Sequence, residues 1–131
     1  MKAIKFLTGI IVAVIIFHLL ILCGVIPYNV VWGGKIETKK QMFLFELISI
    51  VLNGFLLWIL LMEGNFIKVI IPRYLIRFCL WSYLILFVFN TVGNSLAASL
   101  FEKFFAIITA LSVVLLALIL KRNSKLQSLE N

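Results

Sequence analysis

Four runs of apolar residues, at about 6–27, 41–62, 74–92 and 102–120, leave this chain few ways to fold. A hydrocarbon layer about 30 Å thick is crossed by about 20 helical residues, and each run is near that length. Lipid offers no hydrogen bonds, so every backbone N–H and C=O inside it must be paired within the chain, and each run is read as a helix. Composition points the same way. Apolar residues make up 64% and charged residues 13%, against roughly 45–50% and 25% in soluble domains. Too few polar side chains remain to cover a water-facing surface. The expected fold is all-α: a polytopic membrane protein, an antiparallel bundle of four transmembrane helices forming one domain over residues 1–131, with the lipid bilayer as its first partner.

The breaks between the runs carry the polar residues. Pro27 is expected to end the first span, because proline lacks the amide the next turn needs. Residues 28–40 hold Trp32, Gly33, Gly34, Lys35, Glu37, Lys39 and Lys40, a polar loop with an interfacial aromatic and a Gly-Gly turn. Glu63, Gly64 and Asn65 close the second span. The apolar stretch 66–71 is too short to cross and precedes Pro72, so it is expected to lie at the interface. Gly93 and Asn94 end the third span, Ser95 caps a helix beginning at Leu96, and the tail from Lys121 is expected to fray. Span one begins after two lysines, as a secretory signal does, but no A-x-A site closes it and Leu22 precedes Cys23. It is read as a retained helix.

The net charge of +7 comes from twelve Lys and Arg against five Asp and Glu. Basic residues at helix ends meet anionic headgroups and set orientation. Lys2, Lys5, Lys68, Arg73, Arg77, Lys121, Arg122 and Lys125 fall on one side, and Lys35, Lys39, Lys40 and Lys103 on the other. The first group is twice the second, so both termini are expected to be cytoplasmic. No basic groove with interleaved aromatics is present, which excludes a nucleic-acid partner. Cys23 and Cys79 form no CxxC pair, and a single histidine supplies no metal-ligand spacing, so no metal or other cofactor is expected.

Polar side chains within the spans are costly and therefore informative. An ionised Glu46 facing lipid at full depth is penalised by roughly 2.5–3.5 kcal/mol or more. Ser49 and Asn53 share its helical face at i+3 and i+7. His18 lies about 18 Å above the inner boundary of span one and Glu46 about 24 Å above that of span two. An offset of about 6 Å is within side-chain reach if the two spans are neighbours. A His18–Glu46 hydrogen bond is expected, either as a mutually satisfied structural pair or as a proton-responsive one. Tyr83, Asn90 and Asn94 share a face of span three, and Glu102 and Lys103 open span four on the same side. The candidate site is a polar cluster at the outer end: Glu46, Asn90, Asn94 and Glu102, with His18 and Asn53 below. It offers oxygen ligands for a cation or hydrogen bonds for a polar solute. The bland alternative is interhelical glue at about 0.6 kcal/mol per bond. In span four, Ala106, Thr109, Ala110 and Ser112 provide small positions for close packing. Phe101, Phe104 and Phe105 are expected to face lipid or interface.

No catalytic constellation is visible. No P-loop, dinucleotide fingerprint or zinc motif occurs, and no serine has a usable base. The chain is read as not an enzyme. Small multidrug transporters share its length, but their first helix carries an essential carboxylate that span one here lacks. The segments VVWGGKI (30–36), MFLFELISI (42–50), FNTVGN (89–94) and FEKFFAIITAL (101–111) resemble those of small bacterial four-helix integral membrane proteins of uncharacterised function. That resemblance implies a multi-pass protein of the bacterial cytoplasmic (plasma) membrane and brings no activity with it. Two functions remain. The preferred one is a binding or interaction subunit, with a homo-oligomer or another membrane protein as partner. The alternative is an oligomeric transporter or channel subunit for protons or small solutes, with Glu46 and His18 titrating.

Overall fold

The computed structural model describes residues 2–31, 36, 38–97 and 99–130, with only the backbone of Asn29, Val30 and 124–130. Five helices follow in order: α1 (Lys2–Leu22), α2 (Tyr28–Val31), α3 (Lys39–Glu63), α4 (Arg73–Ser95) and α5 (Leu100–Glu130). No strand occurs among the described residues. α1, α3, α4 and the Leu100–Asn123 part of α5 are long and apolar enough to cross a membrane. They pack as an antiparallel bundle in which α1 neighbours α3 and α5, and α4 neighbours α5 and α3. Among the neighbouring long helices, contact is densest within the pairs α4–α5 and α1–α3 and sparsest between α3 and α4. Large apolar side chains point outward on every long helix, with Phe89 70% and Ile107 66% exposed. Such a surface suits a hydrocarbon surrounding.

The helix ends depart from the sequence expectations for identifiable reasons. α1 stops at Leu22, ahead of Pro27, because Gly24 takes φ +76°. There the Val25 N–H donates to the Leu20 carbonyl (2.9 Å) and the Gly24 N–H to the Ile21 carbonyl (2.9 Å), the paired bonds of a Schellman cap. α3 ends the same way, with Asn65 (φ 56°) in the left-handed position and Phe66 N–H donating to Leu61. Its start is a capping box: Thr38 Oγ1 accepts from Gln41 N–H and Gln41 Oε1 accepts from Thr38 N–H, both at 3.2 Å. The short helix α2 occupies part of the connection read as loop, whereas residues 32–35 and 37 lie outside the described residues.

Gly93 and Asn94 do not end α4, which continues to Ser95. Glycine is tolerated within a membrane helix because the only alternative to the helical bond is an unpaired amide in lipid. Ser95 is consequently no N-cap. Its hydroxyl donates back to the Thr91 carbonyl (2.7 Å), and the cap of α5 falls to Ser99, whose Oγ accepts from Glu102 N–H at 3.1 Å. The tail expected to fray is helical to Glu130, for residues 121–130 contain neither glycine nor proline. Residues 66–72 form no helix, as expected of a stretch too short to span. Beside them Arg73 donates to Asn65 Oδ1 (3.1 Å) and lies 3.7 Å from Glu63.

The apolar core fills the half of the bundle away from α2. Ile4 and Leu7 of α1, Leu60 of α3, Ile76 and Leu80 of α4, and Leu116 of α5 are fully or almost fully buried there. Towards α2 the packing is interrupted by polar side chains, and the candidate site begins.

Candidate functional site

Each long helix contributes polar groups to the α2 end, and helical periodicity turns them inward. On α3 these are Glu46, Ser49 and Asn53, of which Glu46 is completely buried. On α1, His18 reaches across so that its Nδ1 stands 2.7 Å from Glu46 Oε2. That spacing is at the short, charge-assisted end of N–H···O bonds. With Nδ1 donating to the carboxylate, Nε2 is the free ring nitrogen and has no partner among the described residues. It accepts a hydrogen bond from a ligand in the neutral ring and donates one in the imidazolium.

His18 borders a partly open cavity of about 400 Å³ lined by all four long helices. Asn53, Asn90, Asn94 and Glu102 line it as well, together with Val31 of α2. Of the six residues singled out from sequence, five line this one cavity; Glu46 stands behind His18 and holds the ring. Asn53 Nδ2 donates to the Ser49 carbonyl of its own helix (2.8 Å). The amides of Asn90 and Asn94 make no hydrogen bond among the described residues, so both keep two donors and an acceptor for a guest. Glu102 is buried, and it is already engaged by an interaction of its own.

The floor is chemically different. Tyr83 Oη donates to the Leu52 carbonyl (2.7 Å), Ser112 Oγ to Ile108 (2.9 Å) and Thr109 Oγ1 to Ala106 (3.1 Å). These hydroxyls donate to backbone carbonyls and present mostly carbon to the space above. Thr91 and Thr109 hydroxyls meet at 2.9 Å between α4 and α5, where the small residues Ala106 and Ser112 are also buried. The small-residue stripe read from the sequence thus lies at the densest helix contact.

One expectation fails here. Phe101 and Phe105 do not face lipid; with Phe17 of α1 they form an aromatic cluster, Phe17–Phe105 centroids 4.9 Å and Phe17–Phe101 5.6 Å apart. Phe17 and Phe105 line the cavity, and only Phe104 is exposed as expected. The available signal was the i, i+4 spacing of Phe101 and Phe105, in register with Thr109 and Ser112 on the small-residue face. Cys23 is exposed just beyond the end of α1, while Cys79 is partly buried, and both are free thiols. Among the described residues no three His, Cys, Asp or Glu side chains gather as a metal-ligand set. No family model matches the chain, and no curated protein or solved structure is significantly similar to it.

Proposed function

We propose that this chain is a non-enzymatic binding subunit of a bacterial cytoplasmic membrane that holds a small molecule in the cavity at its α2 end. The supporting observation is convergence: His18 Nε2 and the amides of Asn90 and Asn94, from two different helices, face one space of about 400 Å³ with hydrogen-bonding capacity to spare. Mutual glue would have consumed that capacity. The volume lies within the roughly 300–1,000 Å³ typical of ligand pockets, and the mixture of apolar walls with a few polar groups is typical too. A transporting oligomer is the competing reading. The dry core beneath the cavity, with Leu7, Leu60, Leu80 and Leu116 each 0% exposed, counts against a polar path through a single copy.

Purification in mild detergent, then solvent extraction and mass spectrometry, tests the reading. A small molecule is expected to accompany the wild-type protein and to be lost from Asn90→Leu/Asn94→Leu protein of equal helicity. Equal recovery from both, or nothing from either, removes the proposal. A pH-driven flux in proteoliposomes that disappears in Glu46→Gln would put the transporter reading in its place.

The basic-residue asymmetry supports a topology with both termini in the cytoplasm and the α2 end towards the outer leaflet. A phosphatase fused after Asn131, active only outside the cytoplasm, is expected to be silent, and the same enzyme inserted after Gly34 to be active. The reverse pattern would invert the topology.

A further inference from the structure

Building on the binding reading, we infer that the occupant of the cavity is an amphiphile with an uncharged, hydrogen-bonding head, admitted sideways from the bilayer between α3 and α4. Three observations converge on this. The first is where the cavity wall is thin. Its lining residues that are exposed are Leu52 on α3 and Leu86, Asn90 and Gly93 on α4. Those from α1 and α5 are buried or half-buried, with Ile11 and Ser112 each at 1%. α3 and α4 also make the sparsest contact in the bundle. They are joined at Tyr83 through its bond to the Leu52 carbonyl and its ring contact with Phe55. The opening between the exposed rims of α3 and α4 therefore faces the acyl region, with leucines on its rim, and Val31 of α2 also borders the cavity.

The second observation is the polarity gradient. Spare donors and acceptors sit near the α2 end, on His18, Asn90 and Asn94. The lower walls are Ile11, Val14, Leu52 and Phe87, above hydroxyls committed to backbone. A lipid of that leaflet carries its head and tail in the same order. A water-soluble solute would gain nothing from the lower half.

The third is charge. Among the described residues lining the cavity there is no Lys or Arg. Glu46 is bonded to His18, and Glu102 is already engaged. A phosphate head would meet carboxylates with no cation among those side chains, and an ammonium head would find both carboxylates occupied. Uncharged hydroxyl or carbonyl groups match amides and an imidazole nitrogen.

The test uses the full chain in phosphatidylcholine nanodiscs carrying a monoacylglycerol with a diazirine in its chain. After illumination, label is expected on Ile11, Phe87 and Ile108 as well as on lipid-facing positions such as Phe89. Excess unlabelled monoolein is expected to lower cavity labelling about tenfold by mass action, while labelling at Phe89 stays constant. Lysophosphatidic acid is expected not to compete. Narrowing the gap with Leu86→Trp, or with Leu52→Trp as an independent variant, should abolish cavity labelling without changing helicity or the labelling of Phe89. Label confined to lipid-facing positions, or cavity labelling that persists in both narrowed variants, overturns the inference. If a molecule still co-purifies with wild-type protein in that case, the binding reading stands and only the lateral amphiphile falls. If nothing co-purifies either, both fall.

Discussion

A His18→Leu variant is expected to lose about 3–5 kcal/mol of stability, more than any other single replacement of a polar side chain here. Glu46 is entirely buried and its 2.7 Å bond to His18 joins helices α1 and α3. Removing the imidazole leaves the carboxylate its remaining interaction but strips away the short, charge-assisted one. The double variant His18→Leu/Glu46→Leu is expected to recover to within about 1 kcal/mol of wild type, because replacing both members of a buried pair with apolar groups removes the desolvation penalty along with the attraction. Unfolding of the purified protein in mixed micelles, followed by helicity, provides the measurement. Were the double variant no more stable than His18→Leu, the pair would not be coupled. A loss near the roughly 0.6 kcal/mol of an ordinary interhelical bond would identify a neutral pair.

Leu116→Ala is expected to cost about 2–5 kcal/mol, whereas Leu118→Ala, two residues away on α5, should stay within about 0.5 kcal/mol. Leu116 is 0% exposed within the core, and Leu118 is 52% exposed towards the surroundings. Truncating the first leaves a void among packed side chains, which lose their dispersion contacts. Truncating the second lets an acyl chain fill the space. The same unfolding assay compares them, and equal losses would mean that the inward face of α5 is wrongly placed.

Those two leucines also mark what the sequence can convey. Four spans were legible because length and hydropathy decide whether a segment enters lipid. Which apolar side chain faces inward was not legible, because both faces of such a helix are greasy and periodicity loses its contrast. Polar residues escape that ambiguity. Glu46 and Glu102 are driven away from hydrocarbon and are buried, and depth and helical spacing sufficed to bring five of the six selected residues to one cavity. Phe17 and Phe105 carried no such constraint, and their inward packing became visible only in three dimensions. The Glu63–Asn65 break did end α3 as expected, but other helix ends failed for a different reason. Gly24 and Ser99 set boundaries through local capping geometry, and Pro27, Gly93 and Ser95 are equally good breakers on paper. The choice among them depends on which backbone groups reach water.

The close pairing of α1 with α3 and of α4 with α5 bears on how the protein comes to be made. The first long helix grips the second, and the third grips the fourth, more closely than the second grips the third. Each hairpin can close soon after its second arm emerges from the ribosome, before the other half exists. Little loop-closure entropy is spent on such local pairs, which favours rapid assembly. The junction between hairpins must then form last, and on the α3–α4 flank it remains the least sealed part of the finished molecule.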